Sequence, residues 1–465
     1  MRRFGLMATL AAAAALGLIG SAPARAQPMD ERGPPKIAQI PGVKSTFVRL
    51  GQGEPGVLYE PTNPGTKAQI ALFVMHSAGD YLSHSACTEL SKRGYRVLCA
   101  NNSNSKSGAF DDGRLDGVLL EAKRGIQFLR AYPGVKKIVL FGHSGGATVM
   151  TAYQDIAENG VKVCQDAIKV HKCPDSLAGL PPADGVVLGD GNYGVAEMTL
   201  FSVDPAVTDE ASGVKLDESI DLFNPANGFK PGGSSFSPAF VHRFLAAEGA
   251  RNNRLIKLAQ DRLAAIEAGK GEFLDDEPFI VPGASLLGGN NRLFAQDVRL
   301  LSHTQKPWPL VHPDGSITNE IVHTVRVPEN PQNTSPFMIR GAMKTTVRGF
   351  LSTYAIRTDK DFGYDEDSIH GVEWTSSYSS PPGNAEGISA PILTLGMTGH
   401  WEFLAAELVY DHAKSADKSI AFIEGATHGY TPCAKCEKTP GQFGDTVKTL
   451  YDYVDGWLSK PGRFM

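Results

Sequence analysis

Several things are missing from this sequence, and each absence excludes a class of protein. Beyond the opening residues, no stretch approaches the 18 or so consecutive apolar residues of a membrane-spanning helix. There is no excess of positive charge: 45 basic against 50 acidic side chains leave a formal net charge of −5, which disfavours a nucleic-acid binder. No repeat with a period of roughly 20–50 residues is visible, so solenoids and propellers are set aside. There is no HExxH, no phosphate-binding Walker loop and no complete zinc or EF-hand spacing. The acidic run Asp359, Asp361, Asp365, Glu366 and Asp367 lacks the glycine and terminal glutamate of a calcium loop and reads as a solvated acidic loop. Gly189 to Gly194 follows a strand, but no helix opens on it, so it is not a dinucleotide fingerprint. Nor is the chain rich enough in Gly and Pro (50 and 30 of 465 residues) to be disordered by composition.

The residues that are present point to an exported globular protein. Arg2 and Arg3 precede an apolar run from Phe4 to Ile19, and Ala24-Arg25-Ala26 offers a small-x-small cleavage site. Residues 1–26 therefore read as a removed signal peptide, with localisation in the periplasm or outside the cell. In such a compartment six cysteines favour disulfides. They fall into three close pairs along the chain: Cys87 with Cys99, Cys164 with Cys173, and Cys433 with Cys436. The Cys433-Ala434-Lys435-Cys436 spacing also fits a redox motif, but the stretch Glu437 to Gly444 is turn-like rather than helical.

With hydrophobic residues at 42%, a large core is expected. Its rhythm is alternating. Apolar strands are expected at Ile70–Met75, Tyr95–Ala100, Lys137–Phe141 and Gly185–Leu188, with helices between them. The helical spacing is clearest at Leu115, Val118, Leu119, Ala122, Ile126 and Leu129. The rhythm resumes with strands at Ile392–Leu395 and Ser419–Ile423 and a final helix at Thr446–Leu458. Alternation of this kind predicts an α/β fold, a mostly parallel doubly wound sheet. Residues 191–385 differ. They open on the Pro/Gly/Ser-rich stretch Asn224–Pro238, hold one clear helix at Asn253–Ala268 and one candidate strand at Ile317–Val327, and are otherwise loop-like. They read as a large cap inserted between a first core part, 27–190, and a second, 386–465. Phe273, Phe279, Phe294, Trp308 and Trp374 are its candidate pocket walls or core.

One motif carries chemistry. Gly142-His143-Ser144-Gly145-Gly146 lies directly after the strand Ile138–Phe141 and directly before a helix. G-x-S-x-G on a strand–turn–helix is a nucleophile elbow: the turn is too tight for bulky neighbours, and the helix start offers free N–H groups to a developing oxyanion. On these residues the chain resembles the α/β-hydrolase superfamily, over about 45–190 and 386–465.

The resemblance implies a serine, an acid and a histidine in that chain order. Ser144 would be the nucleophile. His428, on the loop after the strand ending at Ile423, would be the base. Ala78 and Gly145 would supply the oxyanion N–H groups, although Ser77 stands where the family commonly has glycine after the histidine, here His76. His76 itself reads as a brace for this loop. The acid is left open, because Gly396 to Glu402 contains no Asp. Glu402 in that loop is the first choice, with Asp190 at the end of an earlier strand and Glu407 in the next helix as alternatives.

The expected activity is that of a serine hydrolase cleaving a small-molecule or polymer carboxylic ester through an acyl-enzyme, with no cofactor and no metal. An amidase, peptidase or lactonase would use the same residues, and a non-catalytic binding protein on this fold is the alternative of a different class.

Overall fold

A computed structural model describes residues 39–106, 114–284, 292–328 and 341–465. The expected signal peptide lies outside the described residues. Among the described residues fourteen strands follow in chain order. They begin with β1 (Val43–Gly51), β2 (Glu54–Pro61), β3 (Ile70–Val74), β4 (Arg96–Ala100), β5 (Lys137–Ser144) and β6 (Gly185–Gly191). Then come β7 (Pro278–Pro282), β8 (His303–Val311), β9 (Ile317–His323), β10 (Ala342–Thr346), β11 (Thr358–Tyr364) and β12 (Ile369–Val372). The last two are β13 (Ile392–Met397) and β14 (Lys418–Ile423).

Ten of these strands form one sheet in the order β1-β2-β4-β3-β5-β6-β13-β14-β8-β9. From β4 through β8 all neighbours are parallel. The antiparallel pairs lie at the two edges. β3 and β13 are buried along their whole length, as expected of parallel strands covered by helices on both faces. The helix Leu115–Ala131 buries Val118, Leu119, Ala122, Ile126 and Leu129, the stripe read from the sequence. Gly125 on the same helix lets it approach the sheet, since a Cβ there would meet the Phe73 ring at 2.3–3.1 Å. The fold is α/β, a mostly parallel sheet with helices packed on it.

Two features of the middle segment differ from the sequence reading. It is not only an insertion over the sheet: β8 and β9 extend the sheet itself, with Leu310 and Val311 pairing with Phe422 and Ile423 of β14. Pro307 and Pro309 hide β8 in the sequence, and they are tolerated because β8 meets β14 only at Leu310 and Val311, so among the described residues neither proline has a ladder partner on that side. The single helix expected at Asn253–Ala268 instead spans Pro238–Glu267, capped by Ser237 Oγ accepting from Phe240 N, with Pro238 in its first turn. Its first half escapes a periodicity reading because Glu248, Arg251 and Asn252 are buried beside Phe240, Phe244 and Leu245. Arg251 is held there by Glu210 at 2.6 Å and by the carbonyls of Asp204 and Pro282. Phe279 and Phe294 belong to the buried core of this segment, whereas Phe273 is exposed.

All six cysteines are paired, as Cys87–Cys99, Cys164–Cys173 and Cys433–Cys436. Among the described residues no helix is long and apolar enough to cross a membrane.

Candidate active site

The C-terminal ends of β5, β6, β13 and β14 meet at one place, where open α/β sheets usually bind ligands. β5 ends on Ser144, whose φ of 54° is one of few positive values at non-glycine residues. The glycines around it are required by space. A Cβ on Gly142 would lie 2.7 Å from Gly146 O, and one on Gly146 would lie 2.8 Å from Met75 O. The helix Gly146–Asn159 starts at once, with Gly145 as its N-cap and no side chain capping it. Its first N–H groups are left to face whatever binds there.

β6 runs beside β5, with Gly191 opposite Ser144, so Asp190 is delivered next to the elbow. Asp190 also has a positive φ, 44°, and is buried. Its Oδ1 accepts from Met397 N at 3.0 Å. Its Oδ2 lies 2.7 Å from Nδ1 of His428 and 2.9 Å from Nδ1 of His400. Burial alone would raise its pKa, but His400 and His428 outweigh that and hold it below the usual carboxylate range.

Glu402 reaches the same ring from the β13 loop. Its Oε2 is 3.3 Å from His428 Nδ1 and makes no hydrogen bond among the described residues. Burial pushes the Glu402 carboxyl up. Glu407 does not approach His428. Its carboxylate accepts from the N–H groups of Gln305 and Lys306, at 3.0 and 3.2 Å, and from Trp308 Nε1 at 2.6 Å. It ties β8 to the helix Ala405–His412, which corrects its place among the candidate acids and accounts for Trp308.

The His428 ring lies between His143 and His400, with centroids 4.4 and 4.3 Å away. Burial lowers its pKa, but the Glu402 and Asp190 carboxylates more than offset this and raise it to about 9. Burial holds His400 down at about 4. The loop around His428 is closed by Thr427 N to Thr431 O and by Cys433 N to Gly425 O, both 2.8 Å. The Cys433–Cys436 bridge lies just beyond it.

His143, the residue before Ser144, ties that loop to the end of β5: its Nε2 bonds His428 O at 2.7 Å and its Nδ1 bonds Tyr81 Oη at 2.5 Å. A carbonyl can only accept, so Nε2 carries the proton and Nδ1 accepts from Tyr81. Sequence reasoning missed this residue. Its only signal was an imidazole directly beside the expected nucleophile. Among the described residues no hydrogen bond joins Ser144 Oγ to the His428 ring.

On the other side of the elbow lies the loop after β3. A Cβ on Gly145 would meet Ser77 Oγ and, at 3.2 Å, His76 Nε2. The Ala78 N–H, expected to face an oxyanion, instead donates to His76 Nδ1 at 3.0 Å, and Gly79 N–H does so at 2.6 Å.

A cavity of about 160 Å³ opens at His428, lined also by Arg326, Gly399, His400, Trp401 and Lys435. Asp190, His400, Glu402 and His428 present ligand atoms within 4.8 Å of one another, a set with the donor chemistry to hold a divalent cation. A larger cavity of about 830 Å³, between Phe236, His242, Leu245 and Arg299, has none of these residues in its wall. Of the acidic run, Asp365 accepts from Asp367 N, Ser368 N and Ser368 Oγ, and so shapes the turn between β11 and β12.

No protein-family model matches the chain, and no curated protein sequence does. Several solved structures resemble it at low identity. The siderophore hydrolase EstB from Aspergillus fumigatus is 14% identical, covers 90% of this chain and 98% of its own, and has a TM-score of 0.42. A hypothetical protein from Pseudomonas aeruginosa is 13% identical over 90% of this chain and 94% of its own, at 0.40. Est1E from Butyrivibrio proteoclasticus is 9% identical over 89% and 97%, at 0.37.

Proposed function

We propose that the protein is an exported serine hydrolase that cleaves a carboxylic ester through an acyl-enzyme. Ser144 Oγ attacks the ester carbonyl while His428 Nε2 takes its proton. Asp190 holds Nδ1–H of His428, fixing the tautomer and stabilising the imidazolium that forms. Gly145 N–H, at the start of its helix, stabilises the tetrahedral oxyanion. The C–O bond of the ester then breaks, and His428 returns the proton to the leaving alkoxide. Water, deprotonated by the same ring, releases the acid and restores Ser144.

The observation that carries this reading is the 2.7 Å contact between Asp190 and His428 Nδ1, on a loop bonded to the residue beside a strained Ser144. Asp190 is preferred to Glu402 as the acid because it is the carboxylate in hydrogen-bond contact with the ring and the one held ionised. The pairing of all six cysteines supports export to an oxidising compartment. In the proposed reaction Asp190 and His428 act without a metal, so a chelator is expected to leave the rate unchanged.

The test is hydrolysis of a short p-nitrophenyl ester by the mature protein and by Ser144→Ala. Turnover that vanishes in the variant supports the reading. Equal inertness of both across esters, lactones and amides would return the protein to the binding-module alternative.

A further inference from the structure

We infer that His76 is a catalytic residue of the same site, its Nε2–H serving as an oxyanion donor beside the Gly145 N–H. This rests on the reading of Ser144 as the nucleophile. The ring's other nitrogen fixes its tautomer. His76 Nδ1 receives two backbone N–H groups, from Gly79 at 2.6 Å and Ala78 at 3.0 Å. An imidazole nitrogen that accepts cannot carry the proton, so the ring must be the Nε2–H tautomer. Nε2 makes no hydrogen bond among the described residues. It lies 3.2 Å from the point where a Cβ on Gly145 would sit, on the residue whose N–H is the proposed first donor.

The ring is held in plane. It stacks on Tyr81 with centroids 4.6 Å apart and 12° between planes. The loop beneath is pinned by Asn102 Nδ2, which donates to His76 O at 2.7 Å and to Ser77 O at 3.2 Å. Burial, with His428 and His84 nearby, lowers the His76 pKa to about 3. The ring is therefore a neutral donor at any working pH, and its proton stays on Nε2 throughout. This also accounts for the Ala78 N–H being engaged elsewhere: the backbone donor expected at that position aligns a side-chain donor instead.

Two substitutions separate donation from bracing. His76→Asn keeps an acceptor near the place of Nδ1 but puts no donor at the place of Nε2, and His76→Gln does the reverse. His76→Asn is expected to lose about 10²–10³ in kcat, the usual cost of one oxyanion donor, with KM little changed. His76→Gln is expected to retain at least about tenfold more kcat than His76→Asn, on the order of one hydrogen bond's worth. His76→Asn at or above the rate of His76→Gln would overturn the proposal. So would a wild-type rate in His76→Asn alongside a loss in Ser77→Ala, which would make the Ser77 hydroxyl the donor.

If either variant fails to fold, ¹⁵N NMR of the wild-type imidazoles decides. The His76 Nε2–H resonance should move downfield when a phosphonate is attached to Ser144, and an unmoved resonance would overturn the assignment. An inert, unlabelled wild type would sink the hydrolase reading and this inference together. An active wild type matched by His76→Asn would sink only the inference.

Discussion

Two strand ends bring a carboxylate to one imidazole, and they do so differently. At the end of β6, Asp190 is set by the backbone: its φ is positive, its Oδ1 is bonded to Met397 N, and its Oδ2 faces two imidazole nitrogens. At the end of β13, Glu402 comes in on a loop and leaves a buried oxygen without a hydrogen bond among the described residues. Both are buried, yet their carboxyls move in opposite directions, Asp190 down and Glu402 up. Burial penalises either charge. The difference lies in how many donors face the ionised form. Proximity to the His428 ring is thus a weaker criterion for choosing between candidate acids than the hydrogen bonds that keep a carboxylate charged.

Substitutions can break or sharpen that contrast. The largest loss, about 10⁶-fold in kcat, is expected for Ser144→Ala, which removes the attacking atom that both carboxylates would serve. Asp190→Asn should come next, at about 10⁴-fold, with the fold intact by circular dichroism. A near-wild-type rate there would exchange the roles of the two strand ends.

Glu402→Gln should cost less than about tenfold in the plateau kcat but should alter the pH profile. The Glu402 charge favours protonated His428, and a base is idle while protonated. With the charge present, kcat/KM should therefore rise with pH toward about 9. With Gln the rising limb should move to lower pH. An unmoved limb would show that Glu402 does not act on His428.

The smallest effect on catalysis is expected from Glu407→Ala. It should leave kcat unchanged and lower stability by about 1–3 kcal/mol, because three N–H donors lose their acceptor. Denaturant titration and steady-state kinetics together would check this.

The contrast also marks how far the sequence could be read. The elbow was legible because its five residues, the strand before and the helix after are contiguous, and local sterics dictate glycine around Ser144. The role expected of His428 came from the family resemblance, which places a histidine on the loop after the last strand. The choice among Asp190, Glu402 and Glu407 could not be made, because it depends on β6 lying between β5 and β13. Asp190 and His428 are 238 residues apart, and no periodicity encodes which strands are neighbours.

The same limit hid β8, whose prolines argue against a strand unless its short pairing with β14 is known. It also hid the first half of the helix Pro238–Glu267, where buried charge interrupts the apolar stripe. At the loop after β3 the expected donor residue, Ala78, was found with its N–H directed into His76. That turns on a ring orientation that the spacing of residues does not encode.

Activation of Ser144 through His428 by Asp190 is tested most directly by labelling the mature protein with a fluorophosphonate and locating the adduct by mass spectrometry. A single adduct on Ser144 is predicted, absent in Ser144→Ala and formed far more slowly in Asp190→Asn. An adduct on another residue, or labelling of Ser144 that proceeds at the same rate in Asp190→Asn, would contradict it.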